Sequence, residues 1–412
     1  MSVSASNAPS AERLPSAPSA GGKVGTAPSA AASCVRCVMH AGIDPTLDLD
    51  AAGICRYCRQ YDALINDPEY SVANRDARLA AKVAEVKARG EGRRYDCVLG
   101  VSGGVDSSYA VYYAVKKLGL RPLAVHLDNG WNSELAVLNI ERLIRGLGVD
   151  LYTHVIDWQE FRDLQRSLFR ASVVDIEILT DHAIIATMYA AARKFRIPTV
   201  MTGDNFATEA TLPKGWNHRK TDLFNILAIH RKYGTRRVPT FPKLGTPEFF
   251  FHEAVLGIRW FRPLFYSSFD KAAAIAELQR EVGWRAYGGK HYESVFTRFY
   301  QGYFLPRKFG IDKRWFHLSR LVASGQMTRE AAFAELAKPA MDPELAEQDR
   351  IFVLKKLGIS GREWETIMST PPRSHYDFLS DEKVVDLLLR ANRRVRAGVR
   401  ALRSRGARHG DT

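Results

Sequence analysis

A glycine-rich segment, Ser102 to Ser108, has the clearest chemical character in this 412-residue chain. It reads Ser-Gly-Gly-Val-Asp-Ser-Ser and lies between stretches that predict a strand and a helix. Gly103 and Gly104 allow a tight turn whose N–H groups approach an anion. The following helix N-terminus adds partial positive charge, and the hydroxyls of Ser102, Ser107 and Ser108 can donate to phosphate oxygens. The segment therefore predicts a phosphate-binding loop.

Asp106 lies inside this loop, where a carboxylate would repel a phosphate that it met directly. Its natural role is to hold a Mg²⁺ ion that bridges phosphate groups. The alternative interpretation is an ordinary glycine turn with a Ser or Asp helix cap. The spacing matches neither the P-loop pattern nor the dinucleotide pattern.

Two further turns follow predicted strands. Asp128 begins Asp128-Asn129-Gly130 after the second strand, and Gly203 lies within Thr202–Asn205 after a later strand. Ligands of parallel sheets bind beyond the carboxyl ends of the strands. Asp128 and Gly203 are therefore predicted to contact the same ligand, with ordinary strand-end turns as the alternative.

Four of the five cysteines form two pairs with the spacing C-x₂-C-x₁₇-C-x₂-C. The four are Cys34, Cys37, Cys55 and Cys58. This spacing predicts a tetrahedral site of four thiolates, which leaves no open position and indicates structural Zn²⁺. Disulfides and an iron–sulfur cluster are the alternatives. Cys97 lies in a predicted strand and is interpreted as a small buried apolar residue.

The elements around these residues predict an α/β fold. Strands are expected at 95–101, 123–127, 151–156 and 199–202, and helices at 74–89, 107–118, 134–147 and 181–195. This alternation indicates a parallel sheet covered on both faces. Residues 211–265 are expected to be irregular, and helices are expected at 270–282, 314–324, 328–337, 343–357, 361–369 and 380–402.

Composition narrows the class of protein. A hydrophobic content of 46% supports a sizeable core, and no apolar run approaches the length of a membrane helix. The first 32 residues lack a signal-peptide pattern, so we expect a cytoplasmic protein without a membrane span. The net charge of +14 would suit a nucleic-acid binder, but arginines crowd the C-terminus and nucleic acid is disfavoured as a partner.

The string Ser102 to Ser108 is similar to the SGGxDS signature of PP-loop ATP pyrophosphatases. That superfamily includes asparagine synthetase domains, GMP synthetase and tRNA thiolation enzymes. The resemblance implies a Rossmann-like fold of the adenine nucleotide alpha hydrolase type, with ATP and Mg²⁺ bound at the loop. It also implies cleavage of ATP between its α and β phosphates, which releases pyrophosphate and leaves AMP on a substrate oxygen.

Residues 33–370 more specifically resemble the N-acetyl sugar amidotransferases of bacterial surface-polysaccharide pathways. The resemblance is carried by the cysteine pairs, the phosphate loop, Asp128–Asn132, Tyr287–Ser294 and Lys308–Arg314. It implies adenylation of the carbonyl oxygen of an N-acetylated sugar, followed by attack of ammonia to form an acetamidino group. It also implies that a separate glutaminase with a barrel partner, like the pair of histidine biosynthesis, supplies the ammonia.

Three further residues are candidates for catalysis. In Tyr287–Ser294, Lys290 could neutralise the departing pyrophosphate and His291 could act as a general base. The alternative is a basic loop that packs aromatic residues beside a helix. Arg262 precedes Pro263-Leu264 and resembles a basic residue near the nucleotide in related ATP pyrophosphatases.

The predicted organisation has six parts. They are a disordered leader (1–32), a zinc module (33–62), a helical connector (63–94), the PP-loop ATP-binding domain (95–268), a helical substrate and pyrophosphate region (269–372) and a basic helical tail (373–412).

A tRNA-thiolating PP-loop enzyme is the main competing interpretation, since those enzymes also carry N-terminal cysteine pairs. Sulfur transfer generally needs a reactive cysteine or an iron–sulfur cluster in the catalytic domain, where Cys97 stands alone. A binding module with a relict nucleotide fold is the third interpretation, and the intact phosphate loop argues against it.

Overall fold

The computed structural model describes residues 32–209, 212–213, 215–289, 291–382, 384–385 and 387. The predicted leader lies outside these residues except for its last position, and the predicted helix at 380–402 lies largely outside them.

A parallel sheet of five strands forms the centre of the fold. The strands are β1 (Cys97–Gly100), β2 (Pro122–Asp128), β3 (Asp150–Val155), β4 (Thr199–Met201) and β5 (Arg259–Phe261). Their order is β3-β2-β1-β4-β5, with every pair parallel. The predicted parallel α/β sheet is therefore confirmed, and β1 and its phosphate loop lie at its centre.

Fifteen α-helices surround or extend the sheet in the described residues. They are α1 (Arg56–Ile65), α2 (Arg75–Arg89), α3 (Val105–Tyr112), α4 (Glu134–Leu147), α5 (Trp158–Ala171), α6 (Ile178–Lys194), α7 (Leu223–Tyr233), α8 (Thr246–Phe250), α9 (Lys271–Val282), α10 (Val295–Phe299), α11 (Leu305–Phe309), α12 (Arg314–Ala323), α13 (Arg329–Ala337), α14 (Pro343–Leu357) and α15 (Gly361–Ser369). Wider π-helical turns continue three of them, at Tyr113–Lys117, Phe251–Val255 and Tyr300–Phe304. Short 3₁₀ helices occupy Pro263–Tyr266 and His375–Asp377. None of the described helices combines the length and apolar character needed to cross a membrane.

Alternating side chains of β1 pack on opposite faces of the sheet. Cys97 and Leu99 join a cluster with α3, α4 and α9, whereas Val98 joins a cluster with α6. Cys97 is fully buried, as predicted, and burial raises the pKa of its thiol. Because helices cover both faces of the sheet, the β1 and β2 sequences are almost continuously apolar.

The prediction that residues 211–265 are irregular is wrong. This range contains α7, α8 and β5. The Asp222 side chain accepts a hydrogen bond from Asn225 N at 2.9 Å and caps α7, while β5 is only three residues long and gains its pairing from β4. Helix α5, capped by Asp157, was also not predicted. Elements as short as α8 and β5 carry little periodicity and are stabilised by tertiary contacts. Helix α5, in contrast, carries a clear helical pattern in Phe161, Leu164 and Leu168.

The module that holds the four cysteines packs on α12 and α13 of the C-terminal region. Phe316 and Ala323 of α12 share its buried cluster. Arg329 donates to the carbonyl oxygens of Cys37 at 3.0 Å and Cys34 at 3.3 Å. The module therefore gains apolar and polar contacts from residues nearly 300 positions further along the chain.

Candidate active site

The phosphate loop connects β1 to α3 at the carboxyl edge of the sheet. Gly103 has φ +83°, and a Cβ there would lie 2.7 Å from the Ala136 carbonyl oxygen, so only glycine fits. The Gly103 carbonyl oxygen accepts hydrogen bonds from Trp284 Nε1 at 3.0 Å and the Tyr287 hydroxyl at 2.9 Å. The segment of residues 284–294, which we call the downstream block, therefore holds the loop in its turn.

The serines of the loop bond to one another. Ser107 Oγ lies 3.0 Å from Ser102 Oγ and accepts from Ser102 N at 3.1 Å, while Gly104 N donates to Ser102 Oγ at 3.3 Å. These groups face a cleft together with the N-terminus of α3, an arrangement suited to binding an anion. Ser108 is buried below the loop and does not line the cleft. A direct phosphate contact from Ser108 stays a prediction.

Asp106 projects into the cleft from the first turn of α3. Its Oδ2 accepts a hydrogen bond from Thr208 Oγ1 at 3.0 Å. Asn205 places Thr208 by donating to Thr208 Oγ1 at 2.8 Å and accepting from Thr208 N at 2.8 Å. A fixed carboxylate beside a hydroxyl, facing a phosphate-sized turn, has the oxygen donors that Mg²⁺ prefers. Thr208 was not predicted, since no local signal in the sequence marks it.

The cleft has a volume of about 410 Å³, in the range of small-molecule sites. The predicted residues that line it are Ser102, Gly104, Asp106, Ser107, Gly203 and His291. The unpredicted residues that line it include Asp204, Thr208, Glu209, Lys271, Trp284 and Glu293. Lys271, at the start of α9, adds a cation to the cleft that the sequence did not indicate. Lys290 lies outside the described residues.

His291 and Glu293 line the cleft together, and the Glu293 carboxylate lies beside Gly104 of the phosphate loop, where a Cβ on Gly104 would meet it at 3.4 Å. His291 has φ +64°, a conformation that residues other than glycine adopt rarely. Its Nδ1 lies 3.5 Å from Glu293 Oε1. Strained backbone of this kind often marks functional positions, which supports a role for His291 in the cleft. The carboxylate can orient the imidazole in the cleft.

A two-stranded ribbon joins the downstream block to the turn after β2. Ser133 N donates to Glu293 O at 2.9 Å, and Val295 N donates to Trp131 O at 2.9 Å. Asp128, at the start of this turn, accepts from Gly130 N at 2.9 Å and does not line the cleft. The ribbon therefore fixes the segment that carries His291 and Glu293, and Asp128 shapes the turn behind it.

His126 of β2 links this turn to the phosphate loop and was missed by the sequence reasoning. Its ring contacts Val101 O at 2.8 Å through Nδ1 and Asn132 Nδ2 at 3.0 Å through Nε2. Because the Asn132 amide donates, Nε2 accepts and Nδ1–H donates to Val101 O. This buried imidazole positions the backbone immediately before Ser102.

Arg262 forms an ion pair with a residue that lines the cleft. Its Nε donates to Asp204 Oδ2 at 2.8 Å, and Asp204 lines the cleft. Both side chains are nearly half exposed, so the pair adds little to stability. Arg262 therefore stands at the rim, where an anionic ligand could draw its guanidinium away from Asp204.

The four cysteines form a compact cluster, confirming that the two pairs converge. Their Sγ atoms all lie within 4.8 Å of one another, and all four side chains are buried. Cys37 Sγ and Cys55 Sγ are 3.6 Å apart, close to the roughly 3.8 Å that a tetrahedral Zn²⁺ with Zn–S bonds of about 2.3 Å requires. None of the five cysteines forms a disulfide. The donor set therefore fits structural Zn²⁺.

A segment of the chain that begins at Glu293, in the cleft, matches the model of a known protein family. Residues 293–392 match the family model described as LPS biosynthesis protein WbpG-like, C-terminal domain. The predicted relation to proteins of surface-polysaccharide synthesis is confirmed over this WbpG-like segment, which begins at Glu293 in the cleft. The comparison with curated proteins yields no match.

Solved structures resemble parts of the chain. NMN synthetase from Francisella tularensis shows 17% identity over 53% of this chain and 89% of its own, with a TM-score of 0.27. The NH₃-dependent NAD synthetase from Campylobacter jejuni, in complex with the nitrate ion, shows 14% identity over 73% and 97%, with a TM-score of 0.32. A 4-thiouridine synthetase–RNA complex with bound ATP shows 18% identity over 64% and 53%, with a TM-score of 0.30. At these identities the similarity concerns the fold alone.

Proposed function

We propose that this protein is an ATP-dependent amidotransferase of LPS biosynthesis that converts the N-acetyl group of a nucleotide-linked sugar into an acetamidino group. One observation carries the proposal. The phosphate loop and Glu293, where the WbpG-like segment begins, line the same cleft. A nucleotide bound at the loop would therefore lie beside the first residue of that segment.

The chemistry requires activation because the carbon of an amide is a poor electrophile. The carbonyl oxygen attacks the α-phosphorus of ATP, the bond to pyrophosphate breaks, and AMP remains on that oxygen. Ammonia then adds to the activated carbon, AMP departs with the oxygen, and a proton is released. A separate glutaminase with its barrel partner would supply the ammonia.

The residues of the cleft suit these steps. Gly104 N–H and the hydroxyls of Ser102 and Ser107 would bind phosphate oxygens, and Asp106 with Thr208 would hold Mg²⁺. The Mg²⁺ ion would neutralise charge on the phosphates.

The segment that carries His291 and Glu293 suits the acceptor side of the reaction. His291, paired with Glu293, would take the proton that ammonia loses after it adds. Lys271, Lys290 and Arg262 would attract the departing pyrophosphate, and the role of Lys290 rests on its sequence position alone.

Sulfur transfer to tRNA fits the cysteines poorly. Four of the five are committed to one buried cluster, and Cys97 is fully buried within β1. Burial raises the pKa of the Cys97 thiol, which disfavours the nucleophilic thiolate. This leaves no accessible cysteine beside the phosphate loop.

A direct assay tests the proposal. The purified chain is incubated with ATP, Mg²⁺, ammonium and a panel of nucleotide-linked N-acetyl sugars, and nucleotides and sugars are analysed by mass spectrometry. We expect AMP, pyrophosphate and a product about one mass unit lighter, since NH replaces O. Asp106→Asn should abolish pyrophosphate release, whereas Glu335→Gln, at an exposed carboxylate that does not line the cleft, should retain it. ADP and orthophosphate as the products would contradict the proposal.

A further inference from the structure

The amino-terminal edge of the sheet, opposite the cleft, is strongly basic. Because all strands are parallel, the residues that precede them lie at one edge. The basic surface comprises Arg89, Arg93 and Arg94 before β1, Arg121 before β2, Arg193, Lys194 and Arg196 before β4, and Arg259 at the start of β5. Ion pairs within the described residues engage Arg94 with Asp150 and Arg121 with Asp96. The other six cations have no carboxylate at ion-pair distance in that part of the chain.

These side chains are held close together. Arg93 donates to the Arg196 carbonyl oxygen, and Arg89 donates to the Gly257 carbonyl oxygen just before β5. Burial lowers the pKa of the Arg89 guanidinium, and of the neighbouring charges Glu85 raises it while Arg259 and Arg93 lower it. The guanidinium groups therefore concentrate positive charge on this surface.

Apolar side chains project beside this charge. Phe251, Val255 and Leu256 are 46%, 68% and 41% exposed. They lie on the π-helical turn that leads into β5, where Leu256 N donates to Phe251 O at 3.1 Å. The carbonyl oxygen of Gly257, the next residue, accepts a hydrogen bond from the Arg89 guanidinium. The apolar projection and the arginine cluster thus share one edge of the molecule.

We propose that this surface, the eight cations with Phe251, Val255 and Leu256, rests on an anionic lipid bilayer. Lipid headgroups neutralise guanidinium groups, and the boundary with the acyl chains accepts aromatic and aliphatic side chains. A nucleic acid would satisfy the charge but would leave Val255 and Leu256 facing water or phosphate. On the bilayer, the cleft at the opposite edge of the sheet opens away from the membrane.

Vesicle sedimentation of the full chain tests this proposal. We expect it to pellet with vesicles of phosphatidylcholine and phosphatidylglycerol, and not with phosphatidylcholine alone. The double variant Arg93→Gln, Arg196→Gln should weaken vesicle binding about 25-fold, because each basic residue near an anionic surface contributes about fivefold. Val255→Asp should weaken it about tenfold by removing an inserted apolar group. High salt should weaken wild-type binding.

Matched controls come from α4. Val137→Asp replaces an apolar side chain that is 53% exposed, and Arg145→Gln removes an exposed cation. Both should bind vesicles like the wild type, and all these variants should keep wild-type pyrophosphate release in solution. Basic residues near the C-terminus also attract anionic vesicles. The proposal is therefore tested by the difference in vesicle binding between the basic-surface variants and the controls.

Three outcomes would overturn the proposal. The first is absence of a preference for vesicles that contain phosphatidylglycerol, and the second is wild-type vesicle binding by the basic-surface variants. The third is loss of duplex nucleic-acid binding or partner-protein binding in those variants while vesicle binding is unchanged. Because the readout does not involve ATP, its result is independent of the proposed reaction.

Discussion

Gly203 approaches the first turn of α3 so closely that a Cβ on it would lie 2.6 Å from the Asp106 carbonyl oxygen. The two residues follow adjacent strands, β4 and β1. This contact brings Thr208, five residues beyond Gly203, to the Asp106 carboxylate. The geometry of the candidate magnesium ligand therefore depends on the absence of a side chain at position 203.

Gly203→Ala should displace the first turn of α3, because the nearest atoms belong to the backbone of Asp106 and Ser107 and cannot rotate away. We expect pyrophosphate release to fall at least about tenfold, equivalent to roughly 1.4 kcal/mol of transition-state stabilisation. Gly245→Ala is the control, since a Cβ there would meet neighbours only at 3.7 Å or beyond. Equal activity of the two variants would show that the close approach is unimportant.

Trp284→Phe and Tyr287→Phe each remove one hydrogen bond to the Gly103 carbonyl oxygen. Each bond contributes about 1 kcal/mol, so we expect the KM for ATP to rise about fivefold in each variant. The double variant leaves the carbonyl without either donor. Its KM for ATP should rise by more than the two single effects combined. Trp260→Phe, whose indole donates to the Tyr189 hydroxyl away from the cleft, should leave KM unchanged. An unchanged KM in the double variant would argue against control of the loop by the downstream block.

Cys37→Ser should remove one thiolate from the four-cysteine cluster and weaken metal binding. Elemental analysis should find about one zinc per wild-type chain and much less in the variant. Because α12 and α13 pack on the module, we expect loss of more than about 4 kcal/mol of stability. Cys97→Ser should retain full zinc content. Iron with visible absorbance in the wild type would contradict the zinc assignment.

Asp349→Asn should destabilise the C-terminal region. Asp349 accepts two hydrogen bonds from Arg298, at 2.7 and 2.8 Å, in a pair that is largely buried. Removing one partner leaves the other charge buried and costs about 3–5 kcal/mol. Glu335→Gln breaks the exposed pair with Lys338 and should change the unfolding free energy by less than about 1 kcal/mol. Urea denaturation of both variants measures the difference.

The parts that could be predicted are those specified locally. The phosphate loop combines two glycines with a strand before it and a helix after it, so its place at the carboxyl edge follows from neighbouring residues. Helix α4 has its predicted bounds because Ser133 caps its start and Gly148, at φ +63°, ends it. The two cysteine pairs converge as their spacing predicts.

The parts that could not be predicted depend on contacts between distant residues. The ribbon between Trp131 and Val295 joins positions far apart in the chain, and no periodicity records that pairing. Thr208, Lys271 and His126 resemble ordinary surface or strand residues until the fold brings them beside the loop. Their roles arise from tertiary structure, for which one sequence contains little direct signal.

The ribbon also has a consequence for protein engineering. Residues 293–295 are bound to residues 131–133 by backbone hydrogen bonds, which do not depend on side-chain identity. A chimera joined shortly before Glu293 should therefore keep this pairing whichever side chains the imported segment carries.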